Sequence, residues 1–316
     1  MGNFILKRIA ISILVVFLIS TFTFVLVRML PGDPVALALG AEAKEEDLEK
    51  LRQEYNLDEP VLVQYTMWIQ GILHGKLGQS ITFRRDIGTL IGERLPVTVS
   101  LGLPALILSS VFGVLLGVIC AVRRGKVIDQ ILTVISTVGV GTPVFWIGII
   151  GIYVFAMGLK ILPIQGYVGP WENFGKYLHH AILPVFCLSL GLIASVTRQT
   201  RSNMLEIINQ DYIRTARANG LKEGRIIFKH ALKNALIPVL TIIAMKIRMV
   251  VGGSVLTEQL FNIPGIGTLI ITAVNGRDYA VVQACVFLIS LIAVFFNLVV
   301  DILYGVVDPR IRKSGR

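Results

Sequence analysis

Long apolar runs are the feature that most restricts what this chain can fold into. Several of them hold enough consecutive apolar residues to cross a hydrocarbon core of about 30 Å, at about 1.5 Å of helix rise per residue. Of the 316 residues, 54% are hydrophobic and only 16% are charged, whereas about 25% of a soluble domain is charged. We therefore expect an all-α membrane protein with six transmembrane helices. These are predicted over residues 9–30, 97–122, 128–158, 181–200, 236–257 and 280–306.

The predicted spans divide the loops between the two sides of the membrane, and Lys and Arg are distributed unevenly between these two sets of loops. If the N-terminus lies inside, the cytoplasmic stretches hold 17 of them in 60 residues, and the opposite side holds 10 in 110 residues. Because an excess of Lys and Arg marks cytoplasmic loops, both termini are expected in the cytoplasm. The net charge of +10 is then a signal of topology and not of nucleic-acid binding.

The expected organisation follows from these spans. Residues 1–30 form an N-terminal transmembrane helix, 31–96 an extracytoplasmic loop region, 97–307 a five-helix core and 308–316 a cytoplasmic tail. The loop region opens with AEAKEEDLEKLRQEYNLDEP, which is acidic and helix-prone. VLVQYTMWIQGILHGKLG follows, with apolar residues at near-helical spacing, and it predicts a short helix on the membrane surface or on neighbouring spans. Two roles stay open for this helix: it covers neighbouring spans, or it is a docking surface for another protein.

Proline and cysteine positions add local detail. Gly141-Thr142-Pro143 predicts a kink or break inside the long third span. Pro184 is expected in the first turn of the fourth span, where proline is tolerated. The three cysteines all fall inside apolar spans without a metal-ligand spacing, so they are expected to be small buried side chains: Cys120, Cys187 and Cys285.

The stretch from Asp211 to Pro238, DYIRTARANGLKEGRIIFKHALKNALIP, is basic and lies between two apolar spans. Gly220 can adopt the left-handed conformation that ends a helix, so the pattern predicts a helix–Gly–helix elbow on the cytoplasmic side. We call residues 201–236 the elbow. From the residues alone it is either a positively charged loop with a surface helix or a docking element. Docking is favoured by small residues that leave room for another surface, namely Ala216, Ala218, Ala231 and Ala235.

The elbow resembles the cytoplasmic coupling loop, or EAA loop, of ABC importer permeases, in the form of the dipeptide/oligopeptide/nickel permease family. Other segments resemble that family in the same order: FLISTFTFVLVRMLPGDP in the first span, FNIPGIGTLIITAVNGRDYAVVQA before the sixth, and DILYGVVDPRIR at the C-terminus. The resemblance covers essentially the whole chain. The Glu-Ala-Ala core of the general pattern reads Arg214-Thr215-Ala216 here, while Gly220 keeps its place. The later proline, Pro238, is usual for peptide-type members.

The resemblance implies that a cytoplasmic ATPase holds the elbow in a groove and that the elbow transmits its opening and closing to the spans. Contact or hinge residues are then expected at Asp211, Arg214, Thr215, Ala216, Arg217 and Gly220. The implied partners are a second related permease, two cytoplasmic ATPase subunits, an extracytoplasmic substrate-binding protein and membrane lipid. The implied location is the cytoplasmic (inner) membrane of a prokaryote, with a multi-pass chain.

The chain lacks the sequence of an ATP-hydrolysing site. A phosphate-binding loop needs Gly-Lys followed by Ser or Thr, but Lys76, Lys126 and Lys176 are followed by Leu, Val and Tyr. No HExxH zinc motif occurs, and the pair His179-His180 is expected to be a loop feature and not a ligand set. We expect a non-catalytic subunit with no cofactor and no metal, with ATP bound by the partner subunits.

Four polar residues of the fifth and sixth spans are candidates for the translocation pathway. Lys246 and Arg248 lie about half-way along the fifth span, where a charge costs roughly 2.5–3.5 kcal/mol on insertion scales. Either they pair with a carboxylate of this or a partner chain, or one of them lines an aqueous pathway. Asn297 and Asp301 follow in the sixth span, and Asp301 is expected to meet a basic residue of the elbow or to cap a terminal segment.

The expected function is that of a permease subunit of an ATP-driven ABC importer. It would form half of the pathway for di- and oligopeptides and would be coupled to the ATPases through residues 204–236. Nickel chelates, glutathione-like and sugar-derived solutes stay open as substrates within the same family. Two alternatives from other classes stay open: an ion-coupled secondary carrier that works alone, with Lys246, Arg248 and Asp301 as its charged relay, and a membrane scaffold with no transport activity.

Overall fold

The computed structural model describes residues 2–29, 35–36 and 45–307. This part of the chain consists of helices and connecting loops, with no strand beyond an isolated bridge between Gln79 and Asp86. The all-α prediction is confirmed. Two π-helical segments, Ile152–Gly158 and Ile226–Ala231, directly follow the helices Val144–Gly151 and Glu223–Arg225. In chain order the helices are α1 Gly2–Met29, α2 Glu45–Glu54, α3 Val61–Leu73, α4 Ile87–Val122, α5 Val127–Gly141, α6 Val144–Gly151, α7 Phe174–Ile208, α8 Asp211–Ala218, α9 Glu223–Arg225, α10 Leu232–Gly253, α11 Val255–Leu260, α12 Ile266–Asn275 and α13 Tyr279–Val307.

Four helices are long and apolar enough to cross a membrane. They are α1 over Ile5–Met29, α4, α7, and α13 over Tyr279–Ile302. Two bent pairs, over residues 127–158 and 223–247, bring the number to as many as six. The straight helices contain or overlap the first, second, fourth and sixth predicted spans. The bent pair 127–158 covers the third predicted span, whereas the bent pair 223–247 overlaps only the first half of the fifth, 236–257. The chain is therefore a multi-pass membrane protein.

The third predicted span is sharply bent. α5 and the segment that begins with α6 meet at 103°. Thr142 is extended (φ −85°, ψ 126°) because the ring of the following Pro143 disfavours helical angles in the residue before it. The break predicted at this point is confirmed. Beyond the bend, α6 packs closely on α11, since a Cβ at Gly148 would overlap Cδ2 of Leu260.

Two of the spanning helices begin well before their apolar runs. The carboxylate of Asp86 accepts a hydrogen bond from the Thr89 amide (2.8 Å) at the start of α4. Asn173 Oδ1 accepts one from the Lys176 amide (3.0 Å) at the start of α7. These caps satisfy amides that a helix leaves unpaired at its first turn. They therefore determine where the two helices begin, which the hydropathy of the sequence does not show. Pro184 consequently lies inside α7, and the expectation that it belongs to the first turn is wrong.

α4 and α7 approach each other at two glycines. A Cβ at Gly113 would lie 2.6 Å from Cβ of Val196, and a Cβ at Gly117 would lie 2.5 Å from Cβ of Thr200. Small residues let helix backbones come together in this way. Larger side chains at either glycine would separate the two helices.

The three cysteines are buried free thiols, as predicted. Cys285 belongs to a core cluster that α13 forms with α4 and α12. Cys187 belongs to a second cluster that α7 forms with α4 and the residues after α11. They contribute apolar volume to the packing between helices.

The region between α1 and α4 contains both predicted helices, α2 and α3. α3 packs on its neighbours through aromatic rings: Tyr65 and Trp68 lie 5.1 and 6.0 Å from Phe24 of α1, and Trp68 lies 6.1 Å from Phe287 of α13, between ring centroids. The predicted boundary after residue 30 and the predicted tail 308–316 lie outside the described residues.

A buried carboxylate ties the end of this region to the last helix. Asp278, which precedes α13, accepts hydrogen bonds from Ser80 Oγ (2.5 Å) and the Thr82 amide (3.0 Å). It also accepts one from the Val281 amide (3.3 Å) in the first turn of α13. The same side chain therefore caps a helix and anchors a loop.

Candidate functional site

The elbow has the helix–Gly–helix form that the sequence predicts. α8 ends at Ala218, and Gly220 follows with a φ of +73°. The Gly220 amide donates to the carbonyl of Arg217 (2.9 Å), and the Leu221 amide donates to that of Ala216 (3.3 Å). These two bonds are those of a Schellman motif, in which a left-handed residue ends a helix. The chain then turns back into α9.

One face of the elbow is buried against its own chain. Ile213 of α8 and Ile226 after α9 are fully buried, together with Met204 near the end of α7. They belong to one cluster with Val118 and Ala121 of α4. The elbow is thus packed onto the ends of α4 and α7 and is not a free loop.

The alanines of the elbow divide between its two faces. Ala231 and Ala235 are buried in the same cluster as Ile213, so the expectation that they leave room for another protein is wrong. Their small size admits helices of this chain instead. Ala218 is exposed and Ala216 is half-buried, so these two remain beside any surface that approaches from outside.

The opposite face of the elbow is polar and exposed. Asp211, Arg214, Thr215 and Arg217 all lie on it. Asp211 and Arg214 form a loose pair (3.5 Å) with side chains 96% and 72% exposed, and Arg217 Nε donates to Glu223 Oε1 at 2.7 Å. Such exposed pairs contribute little to stability. The residues predicted to contact an ATPase are therefore brought together and accessible.

Two exposed aromatic side chains of the elbow were not singled out from the sequence. Phe228 is 64% exposed and Tyr212 is 43% exposed, although the Tyr212 hydroxyl accepts a hydrogen bond from Asn234 Nδ2 (2.9 Å). The signal for Phe228 is a large apolar side chain inside a basic stretch.

An ion pair that sequence reasoning missed fixes the base of the elbow. Arg201 donates from Nε and Nη2 to the two carboxylate oxygens of Asp129 (2.7 and 2.9 Å). Asp129 is almost fully buried, and it also accepts from the Gly125 amide (3.0 Å). The pair joins the first turn of α5 to the last turns of α7. An Asp at the start of a predicted apolar span was the available signal.

The predicted pathway residues lie on α10 and α13. Lys246 is half-buried in α10, and the side chain of Arg248 lies outside the described residues. Asn297 of α13 is exposed. Asp301, one turn later, accepts a hydrogen bond from Arg8 Nη1 of α1 at 2.8 Å, so its observed partner is Arg8 and not a residue of the elbow.

A third buried carboxylate, after Asp278 and Asp129, lies where α11 meets α12. Glu258 accepts hydrogen bonds from Thr98 Oγ1 (2.7 Å), Ser254 Oγ (2.9 Å) and the Gly267 amide (2.8 Å). Gly265 leaves room for it, since a Cβ there would overlap the carboxyl carbon of Glu258. A carboxylate at the start of a helix is stabilised by unpaired amides and by the helix dipole. The sequence signal was an acid shortly before the glycines of NIPGIG.

The described residues hold no cluster of three or more His, Cys, Asp or Glu suited to a metal. His179 and His180 lie in the first turns of α7 and not in a loop. Their ring nitrogens contact the carbonyl oxygens of Ile161 (3.0 Å) and Lys176 (2.9 Å). Each imidazole ring therefore has a hydrogen-bond partner in the backbone of this chain.

Comparisons with known proteins agree with this architecture. The family described as "Binding-protein-dependent transport system inner membrane component" matches residues 113–313, and its N-terminal counterpart matches residues 1–102. A probable peptide ABC transporter permease protein, y4tP of Sinorhizobium fredii, is 42% identical over 99% of this chain and 100% of its own length. The oligopeptide transport system permease protein AppB of Bacillus subtilis is 40% identical over 98% of this chain and 99% of its own length.

A di/tripeptide transport system permease protein, DppB of Pseudomonas aeruginosa, is 37% identical over 99% of this chain and 100% of its own length. The similarity therefore runs from the first helix through the elbow to the last helix. It confirms the resemblance drawn from the elbow and the flanking motifs. The chain belongs to the family of inner membrane components of binding-protein-dependent transport systems.

Proposed function

We propose that this chain is a transmembrane permease subunit of an ATP-driven importer and forms half of a pathway for di- or oligopeptides. The peptide assignment is supported by the names of the relatives, which are peptide, oligopeptide and di/tripeptide permeases. The observation that carries the coupling role is the two-faced elbow. Its apolar face is buried on the ends of α4 and α7, and its polar face is exposed.

In the proposed topology the bent pair over residues 127–158 and the part of α10 from Pro238 onward complete six spans, and both termini and the elbow lie in the cytoplasm. The density of Lys and Arg in the elbow and at the termini supports this orientation. The region between α1 and α4 and the residues around α12 then lie outside. The membrane is the cytoplasmic (inner) membrane of a prokaryote.

The elbow acts as a lever in this proposal. A cytoplasmic ATPase contacts Asp211, Arg214, Thr215 and Arg217, and Ala216 and Gly220 shape the surface it meets. Because Ile213 and its neighbours are buried against this chain, displacement of the elbow displaces the ends of α4 and α7 with it. Opening and closing of the ATPases would thereby reorient the spans.

The remaining subunits supply what this chain lacks. Two ATPases bind the ATP, and a second related permease forms the other half of the pathway. An external binding protein docks near residues 31–96 and 258–279, and its substrate enters a cavity between the two permeases. This chain is non-catalytic and holds no cofactor. Lys246 and Arg248 are its proposed charged pathway residues, with Asn297 and Asp301 on the neighbouring helix.

A charge reversal tests the coupling role. Arg214→Glu places a negative charge on the exposed face without removing a buried contact. Arg124→Glu, in the exposed connection before α5, is the matched control. Because reversed charges at an interface cost several kcal/mol, we expect ATPase retention during purification to fall about tenfold or more for Arg214→Glu only. Equal retention by both variants would contradict the assignment.

Energy coupling separates this function from that of an ion-coupled carrier. Vesicles that contain the complete assembly should take up dipeptide when ATP is supplied, and vesicles with this chain alone should take up none under a proton gradient. Uptake by the isolated chain would favour the carrier. Replacing the dipeptide by a nickel chelate or glutathione in the same vesicles tests the other substrates.

A further inference from the structure

A pocket of about 320 Å³ lies between the end of α1, helix α3 and the start of α13. Its polar lining includes Arg28 of α1, Gln64 and Trp68 of α3, and Gln283 of α13. None of the proposed coupling or pathway residues lines it. The function proposed above therefore assigns no ligand to this pocket.

Three N–H groups of the lining are buried and have no hydrogen-bond partner in the described structure. They are Arg28 Nε, Trp68 Nε1 and Gln283 Nε2. Gln283 is only 3% exposed. Buried polar groups in proteins are nearly always paired, and all three of these atoms are donors. Three unpaired donors around one cavity indicate an occupant that offers acceptors.

The electrostatics of the pocket favour an anion. Arg28 carries a positive charge, and the described lining contains no acidic side chain. The guanidinium is positioned by two neighbours: Nη2 donates to Gln64 Oε1 (2.5 Å), and Cζ lies 4.8 Å from the ring centroid of Phe24. Gln64 is itself held by the carbonyls of Leu57 and Glu59 (3.0 and 2.8 Å). The charge is therefore preorganised, while its Nε stays available.

The surroundings of the pocket are those of a lipid headgroup site. Arg28 lies in the last turn of a membrane-spanning helix, beside Trp and Tyr side chains that are typical of the membrane–water interface. α3 is apolar and buries none of its residues completely, so Leu62 remains 79% exposed and Met67 46% exposed. Phe22 and Leu26 of α1 are also exposed. A soluble anion would leave this apolar surface uncovered, whereas acyl chains would cover it.

We propose that this pocket binds the phosphate headgroup of an anionic phospholipid, with Arg28, Trp68 and Gln283 as donors and the acyl chains on the exposed faces of α1 and α3. The bound lipid would bridge α1, α3 and α13 and hold α3 against the spans. The proposal concerns a structural ligand and does not depend on which solute is transported.

Trp68 offers a direct readout because it lines the pocket. The full chain with Trp146→Phe and Trp171→Phe keeps Trp68 as its sole tryptophan. It is reconstituted into phosphatidylcholine vesicles that contain increasing fractions of brominated phosphatidylglycerol or of brominated phosphatidylcholine. We expect phosphatidylglycerol to quench Trp68 with an association constant about tenfold higher, as hydrogen bonds to a charged group imply.

Variants decide which groups cause the preference. Arg28→Gln should bring the ratio of the two association constants close to one, while Arg84→Gln, which removes an exposed charge outside the pocket, should leave it unchanged. Gln283→Leu removes a buried donor without changing charge, so it should lower the preference severalfold and leave helix content intact. A preference that survives both pocket substitutions would overturn the proposal.

Two further results would also overturn it. Equal quenching of the parent protein by the two brominated lipids would show that the pocket does not select an anionic lipid. Loss of the phosphatidylglycerol preference in millimolar inorganic phosphate, at constant ionic strength, would show that the pocket takes a soluble anion.

Discussion

Replacing Gly220 tests whether the left-handed end of α8 determines the form of the elbow. The position has a φ of +73°, and a Cβ built there meets nothing within 4 Å. Any cost of substitution therefore comes from backbone strain and not from crowding. Left-handed angles cost about 1–2 kcal/mol for most residues and less for Asn. We expect the free energy of unfolding to fall by about 1 kcal/mol for Gly220→Ala and by more for β-branched Gly220→Val.

Gly224 provides a matched control within the same elbow. It is also exposed, and a Cβ added there would meet nothing within 4 Å, but its φ is not positive and it lies in α9. Gly224→Ala should be neutral or stabilising by up to about 1 kcal/mol, because alanine favours helix. Gly220→Asn should lie between the parent and Gly220→Ala. The measurement is equilibrium unfolding of the purified full chain in mixed detergent micelles.

The strain argument would be refuted if Gly220→Ala and Gly224→Ala lowered the free energy of unfolding equally. It would also be refuted if Gly220→Asn were as unstable as Gly220→Val. The functional consequence is read separately in the assembled transporter. We expect Gly220→Val to reduce both transport and stimulated ATP hydrolysis, because the chain after α8 would leave at a different angle. If correctly assembled complexes keep both activities, Gly220 is not a hinge of the coupling mechanism.

Three further substitutions test contacts elsewhere in the chain. Asp129→Ala leaves a partly buried guanidinium unpaired and should lower the free energy of unfolding by about 3 kcal/mol, measured by the same denaturation. Gly265→Ala should lower the free energy of unfolding by about 2 kcal/mol through overpacking against Glu258. The loss should be smaller when Glu258 is already replaced by Ala, and a double-mutant cycle measures the difference. Arg8→Gln should cost less than about 1 kcal/mol, because its pair with Asp301 is 30–40% exposed; a larger loss would mean that the pair is shielded by lipid or protein.

Features set by neighbours along the chain could be predicted from the sequence. Apolar runs predicted where the long helices lie, because each helix satisfies its own backbone hydrogen bonds in a bilayer. The turn at Thr142-Pro143 and the left-handed Gly220 were predicted because proline and glycine act on the backbone locally. Helix starts at Ile87 and Phe174 were missed because short side-chain caps determine them.

Features set by distant residues could not be predicted in the same way. Glu258 meets Thr98, which is 160 positions away, and Arg201 meets Asp129, which is 72 positions away. The sequence shows each acid at the edge of an apolar segment, but its partner is identified only when the surrounding helices are assembled. Ala231 was assigned to an outer surface for the same reason, since a small side chain suits a close contact whichever molecule supplies the other side.

The packing of α4 on α7 determines how a displacement of the elbow would spread. Gly113 and Gly117 bring the two helices so close that either helix could slide along the other only by losing these contacts. Arg201 and Asp129 fasten the first turn of α5, which follows α4 after a short connection, to α7 at the base of the elbow. A force on α8 would therefore move α4 and α7 as one body. Because α4 and α7 already move together, a cross-link between them should leave transport in vesicles largely unchanged, and a loss of transport would refute this reasoning.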